Sequence, residues 1–186
     1  MSSNYTKTED EFLMVIGKVT IYSQYIEDGL CSLIGALISN DERLGKLITI
    51  PLSTRQLPEY AFALFEYRVK DENRVSDFHK IIKQIRTLLE KRNEIVHAVW
   101  AHETEDEIFE QYKPQLKTKG KQPKDRGLRL TPTKHNASEL NTVAIKMSET
   151  ANELHNVIMW YVLDRRLMEL KDEKNKPNTS QDTKNS

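Results

Sequence analysis

Apolar residues recur at helical spacing in four stretches of the chain. The first runs Phe12, Val15, Val19, Tyr22, Ile26, Leu30, Leu33, Leu37. Its steps of three and four draw one stripe down an amphipathic helix. Thr8 and Glu11 form a capping box at its start, so one helix is predicted from Thr8 to about Ile38. Gly17, Gly29 and Gly35 fall inside it, each costing about 1 kcal/mol relative to Ala. Either they admit a neighbouring helix at close range, or tertiary packing tolerates them. Ser39-Asn40-Asp41 stops this helix, and a short one from Asp41 to Ile50 ends at Pro51. Ser53 or Thr54 opens a third, with Leu57, Tyr60, Ala61, Leu64 and Phe65 on one face. Pro58 sits in its first turn, where proline is tolerated.

Asp71-Glu72-Asn73 breaks the chain before the central seam of Val75, Phe78, Ile82, Ile85, Leu89, Val96 and Val99. That seam predicts a helix from Val75 to about Ala101. The position it calls for between Leu89 and Val96 is Arg92, a guanidinium where a Leu is expected. A charge in a packed seam needs a partner or a purpose. His97 follows, the side chain whose ordinary pKa suits proton transfer near neutral pH.

Beyond an acidic turn at His102 to Glu107 the texture changes. Lys113 to Arg129 carries seven basic residues against the single acid Asp125, and Pro114, Gly120, Pro123 and Gly127 forbid a long helix. Ile108 to Tyr112 and Leu128 to Thr131 pair as a small hairpin around a basic tip. Asn136-Ala137-Ser138-Glu139 is a second capping box. It opens a long helix through Leu140, Val143, Met147, Ala151, Leu154, Ile158, Tyr161 and Met168. Lys171 onward has no aliphatic residue and reads as a polar tail. The expected class is all-α. An up-and-down four-helix bundle spans 8–171, with a short extra helix and a basic loop or small hairpin (113–129) inserted before the last long helix. Residues 172–186 form a disordered tail.

Composition narrows the function classes. With 28 Lys and Arg against 28 Asp and Glu, no global field draws in nucleic acid, so any basic surface is local. Cys31 is the only cysteine, so an intrachain disulfide is impossible and a Cys-based metal cluster is not expected. No apolar run is long enough for a bilayer and Met1 to Tyr5 lacks signal-peptide character. A cytoplasmic protein with no membrane partner is expected.

Five residues apart on an ideal helix, Arg92 and His97 point roughly 140° away from each other at about 100° per residue. A kink, a curled Arg, or two copies meeting across a two-fold axis would bring both groups to one atom. A bland reading stands beside these: Arg92 snorkels to solvent and His97 is a satisfied structural histidine. Glu27 lies beside the first seam and reads first as a solvated carboxylate, or as a group that orients Arg92 if the two helices align. Lys117, Lys119, Lys121, Lys124 and Arg126 in the basic segment are candidates to grip RNA phosphates. With no aromatic residue among them to stack bases, a solvated loop is the other reading. His79, His102, His135 and His155 have no metal-ligand spacing, so neither metal nor cofactor is expected. Gly-rich phosphate loops, a Ser nucleophile elbow and a Cys-His pair are absent from the sequence.

Arg92-Asn93-x-x-x-His97, followed by Ala98, Val99 and Trp100 near the end of a long helix, resembles the HEPN domain family. The specific likeness is confined to these nine residues, and the helix layout extends it over most of 9–170. The resemblance implies a helical bundle that dimerises with its Arg and His motifs facing each other. It implies a metal-independent endoribonuclease, a toxin or antiviral-defence effector, with Arg92 and His97 catalytic and Asn93 positioning the phosphate or the histidine. It also implies a homodimer, an RNA substrate and an antitoxin or other defence-system protein as partner. Family members that have lost catalysis bind a partner protein or a nucleotide instead. One branch has a Tyr shortly after the His, and this chain has none there, which argues against a modification-controlled partnership of that kind.

Overall fold

The computed structural model describes residues 7–39, 42–103, 108–117 and 127–175. Over these residues the chain forms five helices and three strands. Their order is α1 (Lys7–Ile38), α2 (Glu42–Thr49), α3 (Gln56–Arg68), α4 (Glu72–Val96), β1 (Val99–Glu103), β2 (Ile108–Lys117), β3 (Gly127–His135) and α5 (Ala137–Asn175).

The apolar stripes become the core. Phe12, Val15, Val19, Ile26, Leu30, Leu33 and Leu37 of α1 are buried. They meet Phe78, Ile82, Ile85 and Leu89 of α4, and Leu140, Met147 and Leu154 of α5. Burying one such side chain stabilises by about 1.5–3 kcal/mol, so these faces hold the bundle. α1 packs on all four other helices, most extensively on α5. Its glycines divide by role. A Cβ on Gly29 would come 2.8 Å from Leu154 Cδ2, so Gly29 lets α5 close in. A Cβ on Gly45 would come 2.7 Å from the Gly35 Cα, so α1 and α2 meet backbone to backbone. Gly17 has nothing within 4 Å of where its Cβ would be and is merely tolerated.

Polar residues set the helix starts. Gln56 Oε1 accepts from the Ser53 N–H at 2.9 Å, closing the entry to α3. Asp71 caps α4 by accepting from the N–H groups of Asn73 and Arg74. Asn136 Oδ1 accepts from Glu139 N–H at 2.8 Å at the start of α5. α1 starts at Lys7, so Thr8 lies within its first turn rather than at the cap.

The chain is mostly helical, broadly as expected, with a three-stranded antiparallel sheet in the order β1-β2-β3 between α4 and α5. Three expectations need correction. The central helix runs from Glu72 to Val96, not from Val75 to Ala101. Val99 to Ala101 belong to β1, which pairs with β2 from Val99↔Tyr112 to Glu103↔Ile108. The helical arithmetic that linked Val96 to Val99 is coincidental: Val99 is 62% exposed, while Ile95, off the expected stripe, is buried. The hairpin is present and longer than expected, from Phe109↔His135 to Lys117↔Gly127. Finally α5 continues to Asn175, so 171–175 are helical, and the rest of the expected tail lies outside the described residues. No helix among the described residues is long and apolar enough to cross a membrane.

Candidate functional site at the end of α4

A helix leaves its last carbonyls without intrahelical partners. α4 has no glycine at its end and no basic residue in its last turn. Its carbonyls are met from the sheet instead. Gln111, buried on β2, donates Nε2 to Glu94 O at 2.7 Å. Trp100 on β1 folds back and donates Nε1 to Ile95 O at 2.9 Å. Trp100 also sets its ring edge on Phe12, 5.0 Å between centroids, and Phe12 stacks on Phe109 of β2 at 3.8 Å. The residue between these anchors is His97. Its backbone N–H closes the last turn on Asn93 O at 3.1 Å, and its imidazole is exposed.

Arg92, one turn earlier, is half-buried. It donates Nη1 to Asn93 Oδ1 at 3.0 Å, while its Nε is buried with no hydrogen-bond partner. Toward α1 it acts on Glu27. Burial pushes the Glu27 carboxyl above the usual carboxylate range, and the Arg92 charge pulls it back down. Asp28 adds to the rise and a hydrogen bond with Thr54 opposes it. Arg92 therefore acts on Glu27 through its charge, with no hydrogen bond or ion pair joining the two among the described residues. Arg92 and Asn93 are brought together, and no hydrogen bond or ion pair among the described residues joins Arg92 to His97.

A cleft of about 380 Å³ opens beside this turn, between the start of α3 and α4. Asn93, Glu90 and Arg86 line it from α4, and Thr54, Arg55 and Glu59 face them. Arg86 is tied to Glu59 by an Nη2–Oε2 ion pair of 2.7 Å.

The basic segment contributes less. Lys117 ends β2 opposite Gly127. Lys119, Lys121, Lys124 and Arg126 lie outside the described residues. His135, expected in a loop, closes β3, with Nδ1 3.6 Å from Glu139 Oε2 and a buried, unpartnered Nε2. His79 packs on the Phe62 ring at 4.7 Å. Among the described residues no group of three or more His, Cys, Asp or Glu is placed to hold a metal ion. Sequence reasoning missed Gln111 and Trp100 as the groups that fix the helix end. A glutamine in an alternating strand carries no signal for that role. No family model, curated protein or solved structure matches the chain.

Proposed function

We propose that this protein is a metal-independent endoribonuclease of HEPN type, a toxin or antiviral-defence effector, whose active site is completed by a second copy of the chain. The observation that carries the reading is the state of Arg92. A guanidinium is kept half-buried at the end of α4, with an unpartnered Nε and with Asn93 at 3.0 Å, one turn before an exposed imidazole. Arg92 binds the non-bridging oxygens of a phosphodiester through its planar fork and stabilises the charge that grows there. His97 takes the proton from the ribose 2′-OH as that oxygen attacks the adjacent phosphorus. The leaving 5′-oxygen receives a proton from the His97 imidazole of the second copy. The products are a 2′,3′-cyclic phosphate and a 5′-OH end. A second copy is invoked because no hydrogen bond joins Arg92 to His97 among the described residues, and His97 is exposed at the helix terminus. Met14, Ile21 and Tyr25, exposed along one side of α1, offer that copy an apolar surface to cover.

The second reading is a non-catalytic HEPN-like helical module that binds a partner protein or a nucleotide. It is favoured by the engagement Arg92 already has with Glu27 and Asn93, which suits a polar lock. Wild type and the Arg92→Ala and His97→Ala variants are incubated with RNA in EDTA, and their mass is measured by sedimentation. Cleavage by a dimeric wild type and none by the variants is expected. Equal cleavage by all three, or none by any, removes the nuclease and leaves the module.

A further inference from the structure

We infer that the cleft between the start of α3 and the last turns of α4 is a nucleotide subsite, taking the nucleotide next to the scissile phosphate. Its volume, about 380 Å³, lies in the range of small-molecule pockets, roughly 300–1,000 Å³. Its walls are of two kinds. Leu89 and Pro58 are both buried and form an apolar floor on which a flat ring can lie. Around that floor stand two guanidinium groups, Arg55 and Arg86, and two carboxylates, Glu59 and Glu90. With two charges of each sign, the cleft is not a general anion trap. It suits a ligand with an anionic end and an end bearing N–H donors, which a nucleotide has.

The groups differ in their freedom. Glu59 and Arg86 hold each other at 2.7 Å and shape one wall, yet the Arg86 Nε remains buried without a partner. Glu90 has no hydrogen bond or ion pair among the described residues, so its carboxylate can accept from base-edge N–H groups. Arg55, exposed at the start of α3, has no hydrogen bond or ion pair among the described residues, which leaves its guanidinium for a phosphate. Asn93 links the cleft to the motif, because it lines the wall while its Oδ1 accepts from Arg92. A nucleotide lying base-down on Leu89 and Pro58 therefore has a phosphate edge beside the Asn93–Arg92 pair. The placement beside a scissile bond rests on the ribonuclease reading; the nucleotide preference of the cleft does not.

The test is an NMR titration of the full chain with each of the four 5′-nucleoside monophosphates and with inorganic phosphate. The amides of Thr54, Arg55 and Asn93 are followed. At least one nucleotide is expected to give saturable shifts there, and inorganic phosphate none over the same range. Glu90→Trp, which lays an indole across the mouth, is expected to weaken that binding about tenfold. Lys83→Trp, an equally exposed α4 position outside the cleft, leaves it unchanged. Absence of saturable shifts with every nucleotide overturns the assignment. So does binding of phosphate as tight as any nucleotide, or equal binding by the two Trp variants. RNA cleavage is scored separately. Binding without cleavage keeps the subsite and removes the nuclease, and cleavage without binding does the reverse.

Discussion

The two ends of α4 are built on opposite terms. At its start Asp71 and Arg74 both have partners. Asp71 accepts from two backbone N–H groups, pairs with Arg74 at 3.5 Å, and Arg74 in turn lies 3.8 Å from the centre of the Trp160 ring. At its end the backbone is satisfied but the side chains are not. Gln111 and Trp100 take the carbonyls, while Arg92 keeps a buried, unpartnered Nε and the His97 ring stands in solvent. One cation completes a local network, and the other is held short of one. Leaving a buried donor unmet costs about 1–3 kcal/mol, so the second arrangement persists because a rigid surround imposes it.

The largest effect that would sharpen this contrast is on rate. On the proposed ribonuclease reading, His97→Ala is expected to lower RNA cleavage by about 10²–10⁴-fold with an unchanged urea midpoint, since His97 is exposed. Arg92→Lys loses cleavage on a similar scale because an ammonium lacks the fork. An Arg92→Lys enzyme with wild-type rate would break the contrast from the functional side. At the other end the readout is stability. Asp71→Ala should lower the unfolding free energy by about 1 kcal/mol, measured in urea, and leave cleavage as it was. Arg74→Ala should cost about 0.5–1 kcal/mol through the lost ring contact, again without touching the rate. The smallest effect concerns pH. Because burial raises the Glu27 pKa, the folded chain holds more protons than the unfolded one between the ordinary carboxylate value and the raised one. Stability therefore falls as pH rises through that window. Glu27→Gln should flatten this slope in a series of urea melts, and an unaltered slope would show that α1 does not burden that carboxylate.

The helices were legible because their stripes are long. Eight apolar positions in α1 leave little room for another period, and Ser53 and Asn136 mark starts by their chemistry, while Asp71, which reads as a break in the sequence, is the cap of α4. The hairpin was legible because Pro114, Gly120, Pro123 and Gly127 forbid a long helix over that stretch. β1 was not. Five residues are too few to separate period two from period three, and Val96 and Val99 kept the helical step by chance. At the site, Arg92 announced itself by standing in an oily register and His97 by its side chain. Their relation did not follow from spacing, because it depends on where α4 stops, and α4 stops where β1 finds β2. The cleft joins residues from 54 to 93, so only folding assembles it.

A helix that ends on a glycine can fray alone. α4 ends on two side chains borrowed from the sheet, and so loosening its final turn means peeling β1 and β2 away as well. The sheet is in effect a splint for the imidazole. A macromolecule that seized the hairpin would be pulling on the last turn of α4 through the Trp100 and Gln111 side chains.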